Sequence, residues 1–161
     1  DLFDSFGGHE MAAGLTIPEE NIPEFRRRLE AHARETLSTG QLQPRLHLAG
    51  ALKASEVGEA LFRELELLAP FGRENPEPVF LLDDVRFTRR PKVFGNNHFK
   101  LFLRTGTGEC EAVAFNLADR GVPAEGGQLA GVLEWSDYSG CVQIRLLDWT
   151  QPGESHRAAV A

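Results

Sequence analysis

The hydrophobic period of the chain changes at residue 79, and this change restricts the possible folds more than any other feature. Beyond it, apolar and polar residues alternate with a period of two in five short stretches, at residues 79–89, 98–104, 110–116, 129–135 and 141–149. Such alternation predicts strands with one buried face. Five short strands with one break, at residues 117–127, predict a five-stranded Greek-key barrel of the oligonucleotide-binding (OB) type. A fragment of a β-sandwich is the alternative fold.

The residues before the barrel have mainly helical periods, so the whole chain is expected to be α+β. Residues 1–6 are predicted to be the last turn of a helix that ends at Gly7, and residues 12–17 a short strand. Apolar side chains then recur at helical spacing to about residue 37, with Asn21 as N-cap and Glu24 as its capping-box partner. A second helix, capped by Ser55, is predicted at about residues 55–68.

These elements define four expected segments of the chain. They are a partial α/β domain at residues 1–44, a strand, helix and Pro-rich connector at residues 45–78, the barrel at residues 79–150, and a disordered tail at residues 151–161.

The composition limits the classes of function. No apolar run approaches the ~20 residues of a membrane span, and the acidic first residues differ from a signal peptide. We therefore expect a cytoplasmic protein with no membrane partner. Cys110 and Cys141 fall in predicted strands, which indicates reduced, buried thiols. The five histidines show no metal-ligand spacing, so neither a metal nor another cofactor is expected in this chain.

Basic side chains are concentrated in one part of an otherwise acidic chain. The net charge is −7, yet residues 85–105 contain six basic side chains and no acidic one. One face of the strand predicted at residues 98–104 carries His98, Lys100, Phe102 and Arg104. Cations beside an aromatic ring suit single-stranded nucleic acid, because cations contact phosphates and rings stack on bases. An ordinary solvated face, with Phe102 covered by a neighbouring element, is the alternative.

The turn between the last two predicted strands adds aromatic candidates. An exposed Tyr138 could stack on a base, whereas Trp135 is expected to fill the mouth of the barrel. The complete set of candidate residues for single-stranded DNA is Arg89, Arg90, Lys92, Lys100, Phe102, Arg104, Tyr138 and Arg145.

The segment FGGHEMAAG, at residues 6–14, is a second candidate site. Two glycines after a helix end would permit positive φ and expose backbone N–H groups. Such a concavity, with a histidine beside it, suits a phosphate. Gly7, Gly8 and His9 are therefore the candidate phosphate-binding residues. The alternative is a helix C-cap followed by a tight turn, in which the backbone satisfies His9.

Three groups of motifs together resemble one family. The stretch FGGHEMAAGLTI is similar to the G-G-H-x-x-A-A-G signature of the DHH-associated domain in DHH-family phosphoesterases. The stretch LLAPFGRENPEPVF resembles a segment of the RecJ single-strand-specific exonucleases, and HFKLFL, AVAFN and SDYSG…VQI resemble strands and a hairpin of the RecJ OB domain. The similarity extends from about Leu2 to Trp149, and the combination is specific to RecJ.

The resemblance implies a Mn²⁺- or Mg²⁺-dependent hydrolase of phosphodiester bonds, which degrades single-stranded DNA from its 5′ end in DNA repair and recombination. In that family the metal ligands lie in an N-terminal DHH domain, and this chain has no DHH triplet. The resemblance further implies that Gly7, Gly8 and His9 face the metal centre across a cleft, and that the barrel holds the DNA strand.

We therefore expect the substrate-binding, C-terminal portion of such an exonuclease, inactive alone. Its expected partners are single-stranded DNA and the DHH domain, with single-strand-binding protein as a further candidate. The alternatives are a stand-alone OB module for single-stranded nucleic acid and a different DHH-family phosphoesterase that acts on short oligonucleotides.

Overall fold

The computed structural model describes residues 2–42, 44–83 and 85–154, which form parts of two compact units. Unit 1 is Asp1–Arg45 and unit 2 is Leu46–Ala161. None of the helices in the described residues is long and apolar enough to cross a membrane. Most of the predicted disordered tail, residues 155–161, lies outside the described residues.

Unit 1 contains a β-hairpin and a helix. Strand β1 (Ser5–His9) pairs antiparallel with β2 (Ala12–Thr16), and α1 spans Ile22–Thr36. The prediction of a helix end at residues 1–6 is wrong, and so is the expectation of positive φ at Gly7 and Gly8. The two glycines are extended because they pair with β2. A Cβ on Gly8 would lie 2.5 Å from the Ala12 carbonyl oxygen, so the hairpin closes tightly only with glycine there.

Helix α1 has almost its predicted extent, and Asn21 is its N-cap residue as predicted, but the capping hydrogen bonds do not form. The Asn21 side chain donates to the Leu2 carbonyl oxygen at 3.2 Å and makes no capping bond. Hydrogen bonds from Arg27 and Arg28, each 2.7 Å long, occupy the Glu24 carboxylate and lower its pKa to about 2. The capping box does not form, since the Asn21 backbone N–H donates instead to the Pro18 carbonyl oxygen at 3.0 Å.

Unit 2 is built on a seven-stranded mixed sheet. Its strands are β3 (Gly50–Lys53), β4 (Phe80–Asp83), β5 (Phe87–Phe94), β6 (His98–Thr105), β7 (Gly108–Ala114), β8 (Leu129–Ser136) and β9 (Cys141–Trp149). Their order across the sheet is β3-β4-β8-β9-β7-β6-β5. The β3–β4 and β7–β9 pairs are parallel, and the other neighbouring pairs are antiparallel.

The structure divides the strand predicted at residues 79–89 into two. The first part is β4, and β5 continues five residues further than predicted, through Pro91. The β5–β6 register shifts on both sides of Arg89. Such bulges accommodate a proline, which has no N–H to give to the ladder. Strand β3 belongs to the strand predicted within residues 45–78, outside the barrel, but it pairs with β4 and so is part of the same sheet.

The second helix is shorter than predicted. Helix α2 spans Glu59–Glu66, and Gly58 rather than Ser55 is its N-cap residue. A 3₁₀ turn at Ala54–Glu56 precedes it, in which the Glu56 carboxylate accepts the Lys53 backbone N–H at 2.7 Å. The extended backbone of Gly58 separates this turn from the helix, so the two do not merge into one element.

The core of unit 2 lies on one face of the sheet, under α2. Phe99, Leu101 and Leu103 of β6 are fully buried, as the alternation predicts. The Phe99 ring packs edge-to-face on Trp149, with centroids 5.3 Å apart. Three apolar side chains of α2 pack against the same cluster, namely Leu61, Phe62 and Leu65.

The two cysteines differ in exposure, contrary to the expectation that both are buried. Cys110 is a buried core residue of β7, whereas Cys141 is exposed at the start of β9. Burial, with smaller contributions from Cys141 and Glu111, raises the pKa of the Cys110 thiol to about 12. Cys110 therefore acts as a small apolar side chain of the core.

Candidate nucleic-acid interface

A groove on the outward face of the sheet brings together three of the predicted binding residues, Lys92, Lys100 and Tyr138. We call it the sheet groove. Its volume is about 440 Å³, and its lining residues are Lys92, Phe94, Lys100, Glu111, Val113, Phe115, Ser136, Tyr138 and Gln143. Cross-strand register explains the grouping. Lys100 of β6 lies opposite Lys92 of β5 on one side and opposite Val113 of β7 on the other. Partners in register project from the same face of a sheet.

Three aromatic side chains line the sheet groove with different exposure. Tyr138, in the β8–β9 turn, is 98% exposed and Phe115 is 49% exposed, while Phe94 is half-buried. The His98 ring lies 5.5 Å from the Phe94 ring and 5.6 Å from the Phe115 ring. Its Nδ1 accepts the Asn116 backbone N–H at 2.9 Å, which fixes the imidazole between them. The two phenylalanines are thus positioned before any ligand arrives.

Carboxylates from β7 pair with two of the predicted cations. The Lys100 Nζ lies 2.7 Å from a carboxylate oxygen of Glu111, and Arg89 forms an ion pair with Glu109. Both carboxylates sit on the strand next to β6, with Glu109 opposite Arg104 in register. The basic stretch seen in the sequence is therefore partly neutralised in the folded protein.

Arg145 is also paired. It lies 2.7 Å from Glu77 and 3.0 Å from Glu134, so two carboxylates hold it beside β8. Three other predicted cations make no ion pair with any described residue: Arg90, Lys92 and Arg104. Of these, only Lys92 lines the sheet groove.

Phe102 is covered, which was the alternative weighed for it from the sequence. The side chain is only 6% exposed, and the Arg89 guanidinium carbon lies 3.9 Å from the centroid of its ring. A cation over the ring face is attracted by the ring quadrupole, so Arg89 is held against the sheet. The ring is not presented to a base in this arrangement.

In unit 1, His9 is oriented by its own hairpin. Its Nδ1 accepts the Met11 backbone N–H at 3.2 Å. A neutral imidazole whose Nδ1 accepts carries its proton on Nε2, which can then donate to a ligand oxygen. A Cβ at Gly7 would meet no atom within 4 Å, so the strand beside this donor is open.

The described residues contain no group of three His, Cys, Asp or Glu side chains that could hold a metal ion. The side chains of residues 2–42, 44–83 and 85–154 therefore offer no preformed cage of such ligands for Mn²⁺ or Mg²⁺.

Phe94, Phe115 and Gln143 also line the sheet groove and are absent from the set of binding residues predicted from the sequence. A signal for Phe115 was present on β7, where Cys110, Ala112 and Ala114 are buried and the residues between them point outward. Continuing that alternation places Phe115 on the outward face. Phe94 required the true extent of β5, which the bulges around Arg89 concealed.

Comparison with known proteins shows how far the similarity extends. Residues 48–148 match the family model for the RecJ OB domain. The single-stranded-DNA-specific exonuclease RecJ of Bacillus subtilis is 31% identical over 117 residues, 72% of this chain and 15% of that protein. The corresponding protein of Thermus thermophilus is 29% identical over 154 residues, 94% of this chain and 22% of its own length. The chain spans about a quarter or less of these curated relatives.

Among solved structures, the second OB-fold domain of replication protein A from Methanococcus maripaludis aligns with a TM-score of 0.34 at 23% identity, covering 50% of this chain and 88% of its own. The family match itself confirms the predicted OB fold in its general form, a mixed sheet accompanied by few helices. Because the family model matches more than half of the sequence, the chain belongs to the RecJ OB domain family.

Proposed function

We propose that this chain is the substrate-binding, C-terminal portion of a RecJ-like 5′-to-3′ exonuclease, and that its sheet groove holds single-stranded DNA. The observation that supports this most is the composition of the groove. Tyr138, Phe115 and Phe94 offer rings to successive bases. Lys92, which makes no ion pair with any described residue, offers a cation to a phosphate. Stacking tolerates every base, which suits an enzyme that degrades strands of any sequence.

Tyr138→Ala is expected to weaken binding of an oligothymidine by roughly 5- to 150-fold, because stacking on an aromatic side chain contributes about 1–3 kcal/mol per base. Tyr138→Phe keeps the ring and should retain most of the affinity. Fluorescence anisotropy of a labelled oligonucleotide measures both. Leu67→Ala is a suitable control, since Leu67 is 83% exposed on unit 2 and lies outside the groove. Equal affinity for Tyr138→Ala and wild type would contradict the stacking role.

We also propose that β4 and β5 are two halves of one bent strand, which closes the sheet into a five-stranded Greek-key barrel. Strand β4 pairs with β8 and β5 pairs with β6, yet only residues 84–86 separate them in the chain. In support, the Arg104 backbone N–H donates to the Arg86 carbonyl oxygen at 2.9 Å, immediately before β5 begins. Closure would leave fewer unpaired strand edges.

Unit 1 is proposed to be the end of a DHH-associated domain, with Gly7, Gly8 and His9 as its phosphate-binding segment. None of the described residues from 2 to 42 is buried. Apolar side chains as large as Phe6 and Met11 are 80% and 64% exposed. Apolar surface of this kind needs a covering partner. The partner we propose is the DHH domain of the full-length protein, which would also supply the ligands for Mn²⁺ or Mg²⁺.

The chain alone is therefore expected to release no nucleotides from single-stranded DNA in the presence of Mn²⁺, because its described residues offer no group of metal ligands. Gel electrophoresis of a 5′-labelled oligonucleotide tests this, with a full-length RecJ protein as the positive control. Robust cleavage by the 161-residue chain would refute the assignment of catalysis to another domain.

A further inference from the structure

We infer that a second cationic pocket on unit 2 binds the phosphates of the DNA strand that occupies the sheet groove; this inference rests on the proposed function. The pocket has a volume of about 650 Å³ and lies between the C-terminal ends of strands β3 and β6. Its basic side chains are Lys53, Arg86 and Arg104, and Ser55 and Thr105 add two residues with hydroxyl groups. We call it the β3–β6 pocket.

The β3–β6 pocket is lined by three basic and two acidic side chains among the described residues. No described residue pairs with the side chains of Lys53 and Arg104. Each of the two carboxylates is held by a hydrogen bond from a neutral donor and not by these two cations. Asp83 accepts from the Gln128 side chain at 2.6 Å, and Glu56 accepts from the Lys53 backbone N–H at 2.7 Å. An anion with several acceptor oxygens, such as a phosphate, complements the remaining N–H donors.

Packing fixes the walls of the β3–β6 pocket. A Cβ on Gly106 would overlap the Ser55 carbonyl oxygen, so the β6–β7 turn lies directly against the 3₁₀ turn at Ala54–Glu56. Ala54 and Val57, on either side of Ser55 and Glu56, are buried. Lys53 and Ser55 are thus carried on backbone that is anchored at both ends. A preformed site loses less conformational entropy when a ligand binds.

The pocket continues the sheet groove along one strand. Arg104 follows Lys100 by four residues on β6, so their Cα atoms are roughly 13 Å apart at about 3.3 Å per residue. Lys100 lines the groove and Arg104 lines the pocket. OB folds hold about 4–16 nucleotides. A short oligonucleotide would fill the groove alone, whereas a longer strand that follows β6 would reach the pocket. An acidic peptide could use the same cations, but nothing would link it to the groove.

The test combines two variants with two lengths of oligothymidine. The double variant Lys53→Ala, Arg104→Ala is expected to bind dT4 like the wild-type chain but to bind dT16 roughly tenfold more weakly. For dT16, the slope of the logarithm of the binding constant against the logarithm of the salt concentration should be shallower by about 1.4, since each lost phosphate contact removes about 0.7. Unchanged dT4 affinity also reports that the domain is folded. The matched control is Arg63→Ala, Arg73→Ala, which removes the same charge from exposed positions of unit 2 outside both sites.

Three results would overturn the inference. If wild type binds dT16 and the double variant binds it equally well, the pocket does not contact DNA, and the proposed function stands. Oligoglutamate serves as a third probe. If the double variant loses binding of oligoglutamate but keeps binding of dT16, the pocket takes an acidic peptide. If wild type binds neither oligonucleotide, the proposed function fails and the inference fails with it.

Discussion

The double variant Lys92→Glu, Lys100→Glu is expected to bind single-stranded DNA roughly a hundredfold more weakly than wild type at about 0.1 M salt, because it replaces two phosphate contacts with repulsion. The two lysines lie opposite each other on β5 and β6 and both line the sheet groove. Reversal also leaves Glu111 without its partner and adds to the acidity of the groove. Anisotropy titrations at two salt concentrations give the slope of the logarithm of the binding constant against the logarithm of the salt concentration, which should be shallower by about 1.4.

Two further variants show whether charge in the groove, rather than misfolding, causes this loss. Glu111→Gln removes the carboxylate that holds the Lys100 ammonium at 2.7 Å, so it should strengthen binding. Arg26→Glu with Arg34→Glu makes the same change in net charge on exposed positions of α1 and should alter affinity much less. Equal losses in the groove and helix variants would show that total charge, not the groove, governs binding.

The pairing of the cations could not be read from the sequence. Residues 85–105 contain six basic side chains and no acidic one, which suggested a freely charged face. The neutralising carboxylates Glu109 and Glu111 come from β7, which lies beside β6 in the sheet and outside that stretch. Counting charges along the sequence gives the net charge of one strand. The electrostatic potential at the face of a sheet also depends on which strands are neighbours and on their register.

The faces of β6 could be read from the sequence, because alternation is a local property. The interpretation placed Phe99, Leu101 and Leu103 in the core, and all three are fully buried. Strand β9 has the predicted bounds, Cys141–Trp149. Strand β1 was misassigned because two adjacent glycines suit a helix end as well as a tight hairpin. Only the backbone pairing of Gly8 with Ala13 decides between them, and the residue types alone do not specify that pairing.

Phe99→Ala is expected to lower the free energy of unfolding of unit 2 by about 3–5 kcal/mol, the usual cost of removing a buried phenylalanine side chain. Phe99 has no exposed surface, and its ring packs edge-to-face on Trp149. The lost ring leaves a cavity that the surrounding strands can fill only in part. Urea denaturation followed by tryptophan fluorescence measures the difference, and Phe99→Leu should fall between the alanine variant and wild type.

Phe115→Ala deletes the same atoms from the opposite face and is the matched control. Phe115 is 49% exposed and lines the sheet groove, so its loss should cost much less stability than that of Phe99, about 1 kcal/mol, roughly half the value of a fully buried phenylalanine. It should nevertheless weaken oligothymidine binding, because a stacking ring is gone. Opposite outcomes for two identical substitutions would show that β6 and β7 use their inward face for folding and their outward face for binding. If both variants lose stability equally, the groove aromatics belong to the core, and their role in holding DNA is wrong.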